Sequence, residues 1–189
     1  MFHENIILFA FFLLCSISLK AQYQEGIIIF NNNTSKAGFI KTRANDSVKF
    51  KENEEDETVV YDHKHIIGFD IDGLKYRYVR TNRTDPPSLY LEIESGKIML
   101  YGLYMQGGTS SIGFGPGTNL QPVYVDQEPY TIYFMVIDDR FVRIGTKLKK
   151  RHLKMLKDCP ELVSKLEYGK MKKKRIPEAI EFYNDNCGD

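Results

Sequence analysis

The sequence lacks any excess of charge. Lys and Arg number 26 and Asp and Glu 25, so the formal net charge is +1. A nucleic-acid protein usually carries a strong basic surplus, and this balance argues against one. After residue 21 no uninterrupted apolar run reaches the roughly 18 residues that suggest a spanning helix. Cysteine is scarce, three in all, and no two form a Cys-x-x-Cys pair, which argues against a thiolate metal site. No Gly-x-Ser-x-Gly elbow occurs, and the glycine-rich segment from Gly113 to Thr118 has no lysine. Those absences weigh against nucleophilic catalysis and against a phosphate-binding P-loop. Tryptophan is missing too, but 12 Tyr and 12 Phe, with many β-branched residues, favour β-structure. At 42% hydrophobic and 27% charged residues, the composition is that of a globular chain rather than a disordered one.

The first segment reads as an address. Ile6 to Leu19 is uncharged and apolar, and Lys20, Ala21 and Gln22 follow. This run is too short for a spanning helix and fits a secretory signal peptide over residues 1–21, cleaved after Ala21. The segment before it carries His3 and Glu4 and no Lys or Arg, and Leu19 stands where a small residue is usual. An uncleaved anchor and lipid attachment at Cys15 are the competing readings; Leu14 before that cysteine departs from a bacterial lipobox. The expectation is an exported chain, periplasmic or extracellular, without a transmembrane segment after cleavage. Cys159 and Cys187 then remain, and an oxidising compartment permits one disulfide between them. Two free thiols are the alternative.

Charge divides the rest of the chain. From Gln22 to Asp139 there are 11 basic and 17 acidic residues, and from Arg140 to Asp189 there are 14 basic and 7 acidic. Such asymmetry implies either two parts docked by complementary fields or a basic tail facing an anionic partner.

Residues 22–145 read as an antiparallel β-domain. Apolar or alternating segments at Gly26–Phe30, Ser35–Lys41, Val48–Phe50, Thr58–Tyr61, Ile66–Ile71 and Leu74–Thr81 are separated by turn-forming clusters, Asp72-Gly73 being the strongest hairpin signal. Leu89 to Ile93, Lys97 to Met105, Tyr130 to Ile137 and Arg140 to Ile144 continue the pattern. Hairpin turns without helical crossovers imply an antiparallel sheet or a small barrel. Residues 106–119 are glycine-rich and small, and read as a loop. Residues 146–189 read as helices. Leu148, His152, Met155 and Leu156 recur at helical spacing. Pro160 and Pro177 sit where helices begin, with Leu162, Val163 and Leu166 on one apolar face and Ile176, Ile180 and Tyr183 on another. The fold class is therefore α+β, a sheet or small barrel followed by a C-terminal helical hairpin.

Gly26-Ile-Ile-Ile-Phe30, Ala37-Gly-Phe-Ile40, Val48-Lys-Phe-Lys51 and Ile66-Ile-Gly-Phe69, together with the tail Asp158-Cys-Pro-Glu-Leu162 and Tyr183-Asn-Asp-Asn-Cys187, carry a resemblance. The chain resembles a family of small exported bacterial proteins with a β-rich N-terminal part and a helical C-terminal tail, to which no function is assigned. The resemblance implies no catalytic residues and no cofactor.

Three clusters could carry chemistry. Asp62, His63 and His65 offer two imidazoles on one strand face, but a zinc site needs a third or fourth ligand, and a solvated turn is the simpler reading. Asp70, Asp72 and Gly73 resemble a fragment of a calcium loop, yet Thr81 stands where the closing Glu is required. The basic run Lys170, Lys172, Lys173, Lys174 and Arg175, with Lys147, Lys149, Lys150 and Arg151, is the strongest binding candidate, for an anionic surface. The expected function is a non-catalytic envelope module that binds a partner through a sheet edge, the glycine loop or the basic helices. A peripheral membrane-surface protein and a hydrolase are the competing classes.

Overall fold

The computed structural model of the chain describes residues 23–82, 84–112 and 123–188. The expected signal peptide over 1–21, with Cys15, lies outside the described residues. The strands are β1 (Gln24–Phe30), β2 (Ser35–Thr42), β3 (Val48–Lys51), β4 (Val59–Tyr61), β5 (Ile66–Ile71), β6 (Leu74–Val79), β7 (Ser88–Glu94), β8 (Met99–Met105), β9 (Gly108–Ile112), β10 (Val123–Gln127), β11 (Tyr130–Ile137) and β12 (Arg140–Gly145). Helix α1 (Lys150–Leu153) runs into a 3-10 turn (Lys154–Leu156), and α2 (Pro160–Glu167) and α3 (Ile176–Cys187) follow. Sheet then helices is the α+β order expected. Among the described residues no helix is long and apolar enough to cross a membrane.

Ten strands form one sheet in the order β12-β11-β8-β7-β6-β5-β1-β2-β3-β4, and β9 pairs with β10 separately. The large sheet is open, with β12 and β4 at its edges, and its pairings are antiparallel. Local chemistry sets the hairpins. Asp72 and Gly73 both take positive φ, 50° and 77°, the geometry of the tight turn that follows strand twist. Asp138 and Asp139 make a second such turn, φ 48° and 57°, between β11 and β12. The glycine-rich segment 106–119, expected to be a loop, instead forms β9 over its residues 108–112, in register with β10 from Gly108–Gln127 to Ile112–Val123. Residues 113–119 lie outside the described residues.

Alternation along each strand sorts side chains onto two faces. One row crosses the sheet through Ile28, Phe69, Tyr76, Leu91, Gly102 and Tyr133. At its β1–β5 end, Ile28, Ile40, Val48, Phe50, Ile66 and Phe69 pack together. At its β8–β12 end, Leu100, Met135 and Ile144 meet Leu148, Leu156, Leu162, Ile180 and Tyr183 from the helices in one buried core. Each such side chain contributes roughly 1.5–3 kcal/mol of burial, so the helical part is welded to the sheet by apolar contact. Tyr90, Tyr101, Ile132 and Phe134 form a separate cluster on the opposite face.

Candidate functional site

The tail residues that stood out in the sequence converge on the start of β8. Cys159, the residue before α2, is bonded to Cys187 at the end of α3, with Cα atoms 5.6 Å apart. The Tyr183 hydroxyl donates to Asp158 Oδ2 at 2.5 Å. Lys97 Nζ reaches the same carboxylate oxygen and the Cys187 carbonyl, each at 3.4 Å. Asn184 takes both backbone polar groups of one residue. Its Oδ1 accepts the Ile98 N–H and its Nδ2 donates to the Ile98 carbonyl, both at 2.9 Å. Burial pushes the Asp158 carboxyl up, but the Tyr183 hydroxyl, its own backbone N–H and the Lys97 ammonium together outweigh it and lower its pKa. Burial and the facing Asp158 carboxylate push the Tyr183 phenol upward. These contacts and the disulfide tie the end of α3 and the start of α2 to the start of β8. The sequence reading found the disulfide but missed Asn184, Tyr183 and Lys97 as its companions.

The basic run links α2 to α3 and is held by its backbone. Met171 N–H donates to the Lys165 carbonyl at 2.9 Å, and Arg175 N–H to the Lys172 carbonyl at 2.9 Å. The Met171 side chain packs against the helical core. Leu148 N–H donates to the Lys173 carbonyl at 2.8 Å. That bond lays the run Lys170–Arg175 beside the second basic segment, Lys147–Arg151. Arg175 pairs with Glu178 at 3.1 Å. Among the described residues no ion pair engages Lys147, Lys149, Lys150, Arg151, Lys170, Lys172, Lys173 or Lys174. Lys170, Lys172, Lys174 and Arg175 are exposed and Lys173 is half-buried.

The acidic sheet does not neutralise this surface. Two described ion pairs join the acidic half to the basic half: Arg140 to Asp138 at 3.1 Å, local to the β11–β12 turn, and Lys97 to Asp158 at 3.4 Å, whose signs are opposite to those halves. Docking rests on the apolar core, and complementary fields do not explain it.

Beneath the Lys147–Arg151 segment lies His152, fully buried. Its Nδ1 faces the Lys149 N–H at 3.0 Å, and its Nε2 faces the Arg151 Nε–H at 2.9 Å. Burial first, then the Arg151 and Lys149 charges, hold the imidazole below its ordinary pKa.

The other two clusters resolve into turns. His65 Nδ1 and the Lys64 N–H both meet Asp62 Oδ1, at 2.8 and 2.9 Å, and the Lys64 N–H is the main cause of a lowered Asp62 pKa. Asp70 binds Arg77 Nη1 at 2.6 Å, and Asp72 accepts from Gln24 Nε2 at 2.7 Å. Among the described residues no group of three or more His, Cys, Asp or Glu is placed to hold a metal ion.

No family model, curated protein or solved structure matches the chain.

Proposed function

We propose that the chain is an exported, non-catalytic binding module that engages an anionic envelope surface through its basic C-terminal face. One observation carries this reading. The Leu148–Lys173 backbone bond sets two basic segments side by side, and their lysines lack carboxylate partners among the described residues. Cations near an anionic lipid surface contribute about 1 kcal/mol each, and the attraction falls off within a Debye length. The resemblance to small exported bacterial proteins of β-rich and helical build supports the location, and the Cys159–Cys187 bond suits an oxidising compartment. The contacts of Tyr183 and Asn184 with Asp158 and Ile98 support a fastening role for the tail constellation.

Sedimentation with phosphatidylglycerol-containing vesicles tests the proposal. Binding at low salt should be lost at high salt. Replacing Lys172, Lys173 and Lys174 together by Gln removes about 3 kcal/mol, or roughly 100-fold in affinity. Salt-insensitive binding, or binding unchanged in that variant, would exclude the basic face as the contact.

A further inference from the structure

An open cleft of about 320 Å³ lies between β11, β12 and the turn that leads into α1, lined by Tyr130, Ile132 and a cationic set of Arg143, Lys147, Lys149 and Arg151. Among the described residues no carboxylate lines it. Its volume is at the lower end of ligand-sized pockets, room for a small headgroup rather than a polymer. Four cations around so small a space cannot be offset by a single carboxylate, whereas a phosphate carries up to two charges and several acceptor oxygens. Two of the four are guanidinium groups, whose planar donor forks match phosphate oxygens in pairs. Arg151 is held in place, because its Nη2 donates to the Arg143 carbonyl at 3.3 Å and its Nε abuts the buried His152 ring. Tyr130, 40% exposed, offers an apolar wall for the carbon part of a ligand.

We infer that this cleft is the specific seat, within the basic face, for one phosphate group borne by a small organic ester. The inference rests on the anion-binding reading above and narrows it to a place and a ligand class. A lipid headgroup and a soluble phosphate ester share this chemistry.

Glycerol 3-phosphate, titrated calorimetrically into the disulfide-bonded chain, is the soluble probe. One saturable site is expected. Arg143→Gln with Lys147→Gln should weaken it roughly 10- to 100-fold, since two charged donors are lost. Both side chains are exposed, and an unchanged far-ultraviolet spectrum confirms the fold. The variant lacking Lys172, Lys173 and Lys174 should bind the probe within about twofold of the parent, because none of these lines the cleft. Vesicles of phosphatidylglycerol form the second arm. Release of vesicle-bound chain by glycerol 3-phosphate supports the cleft as a headgroup seat. Saturable binding without release supports it as a seat for the free ester. Absence of a saturable site, a site unaffected by the Arg143 and Lys147 changes, or heat reproduced by sodium chloride at equal ionic strength overturns the inference. If it fails while the triple lysine variant still loses vesicles, the basic face stands and the cleft alone falls.

Discussion

Gly96 and Asn184 are coupled by direct contact, and the coupling can be measured. Ile98 is fully buried and precedes the β8 ladder, which begins at Met99. Its N–H and C=O are both satisfied by the Asn184 amide. Asn184→Ala leaves two buried backbone groups without that partner. Each unsatisfied group costs about 1–3 kcal/mol, and water admitted to the truncated site recovers part of it. The expected loss is about 2–4 kcal/mol, equivalent to a fall of about 4–16 °C in Tm for a chain of this size.

Gly96 makes that contact sterically possible. A Cβ there would lie 2.6 Å from Asn184 Cγ, far inside contact distance. Gly96 is not among the glycines with positive φ, so alanine suits its backbone and the damage must come from displacing Asn184. Gly96→Ala alone should therefore cost about 2 kcal/mol or more. In the Asn184→Ala background the obstacle is gone, and the same change should be neutral or stabilising by about 0.4–1 kcal/mol, as for a glycine replaced at a compatible site. Urea denaturation of the disulfide-bonded chain, followed by circular dichroism, gives all four corners of the cycle. A coupling of at least about 2 kcal/mol is expected. Additivity to within about 0.5 kcal/mol, with Gly96→Ala equally costly in both backgrounds, would refute the reasoning.

Two further outcomes follow from the helical end. Cys159 and Cys187 are 28 residues apart in sequence, and releasing that loop in a Cys159→Ala, Cys187→Ala chain should cost about 3–4 kcal/mol of unfolding free energy in the chain-entropy model; a loss below about 1 kcal/mol in urea melts would show that the bond adds little. His152 gives a pH signature. Its folded pKa is lowered by burial, Arg151 and Lys149, so below about pH 6.5 the unfolded chain binds a proton that the folded chain refuses. The stability from the neutral ring is complete above that pH and is lost as pH falls toward the folded pKa. The urea midpoint of the parent chain should drop between pH 7 and 5 more steeply than that of His152→Gln, and parallel curves would exclude the effect.

The strands were legible because their physics is local. Alternation at Tyr76–Tyr78 and Leu89–Ile93, and an Asp-Gly pair that accepts positive φ, specify β6, β7 and the β5–β6 turn without knowledge of the rest. Pro160 and Pro177 marked two helix starts for the same reason. Strand β9 was not legible. Gly108-Thr-Ser-Ser-Ile112 has no apolar alternation, and its pairing with Val123–Gln127 is information held by the partner strand rather than by the segment. Ser95-Gly96 has the chemistry of a turn, while the contact of Gly96 with Asn184 joins residues far apart in sequence and leaves no local signal. Asn184 itself left one clue, because a mid-helix asparagine is unfavourable unless its amide finds a specific partner. The basic face was seen as two strings of lysines whose meeting hangs on the Leu148–Lys173 bond, between main-chain atoms that carry no residue signature. Arg143 was within reach of the sequence. In the β12 run Phe-Val-Arg-Ile, the alternation that sends Val142 and Ile144 to the helical core sends Arg143 to the other face. A cation projecting there, two residues before the turn that begins the lysines, was enough to place the cleft wall on β12, though not to close it with Arg151.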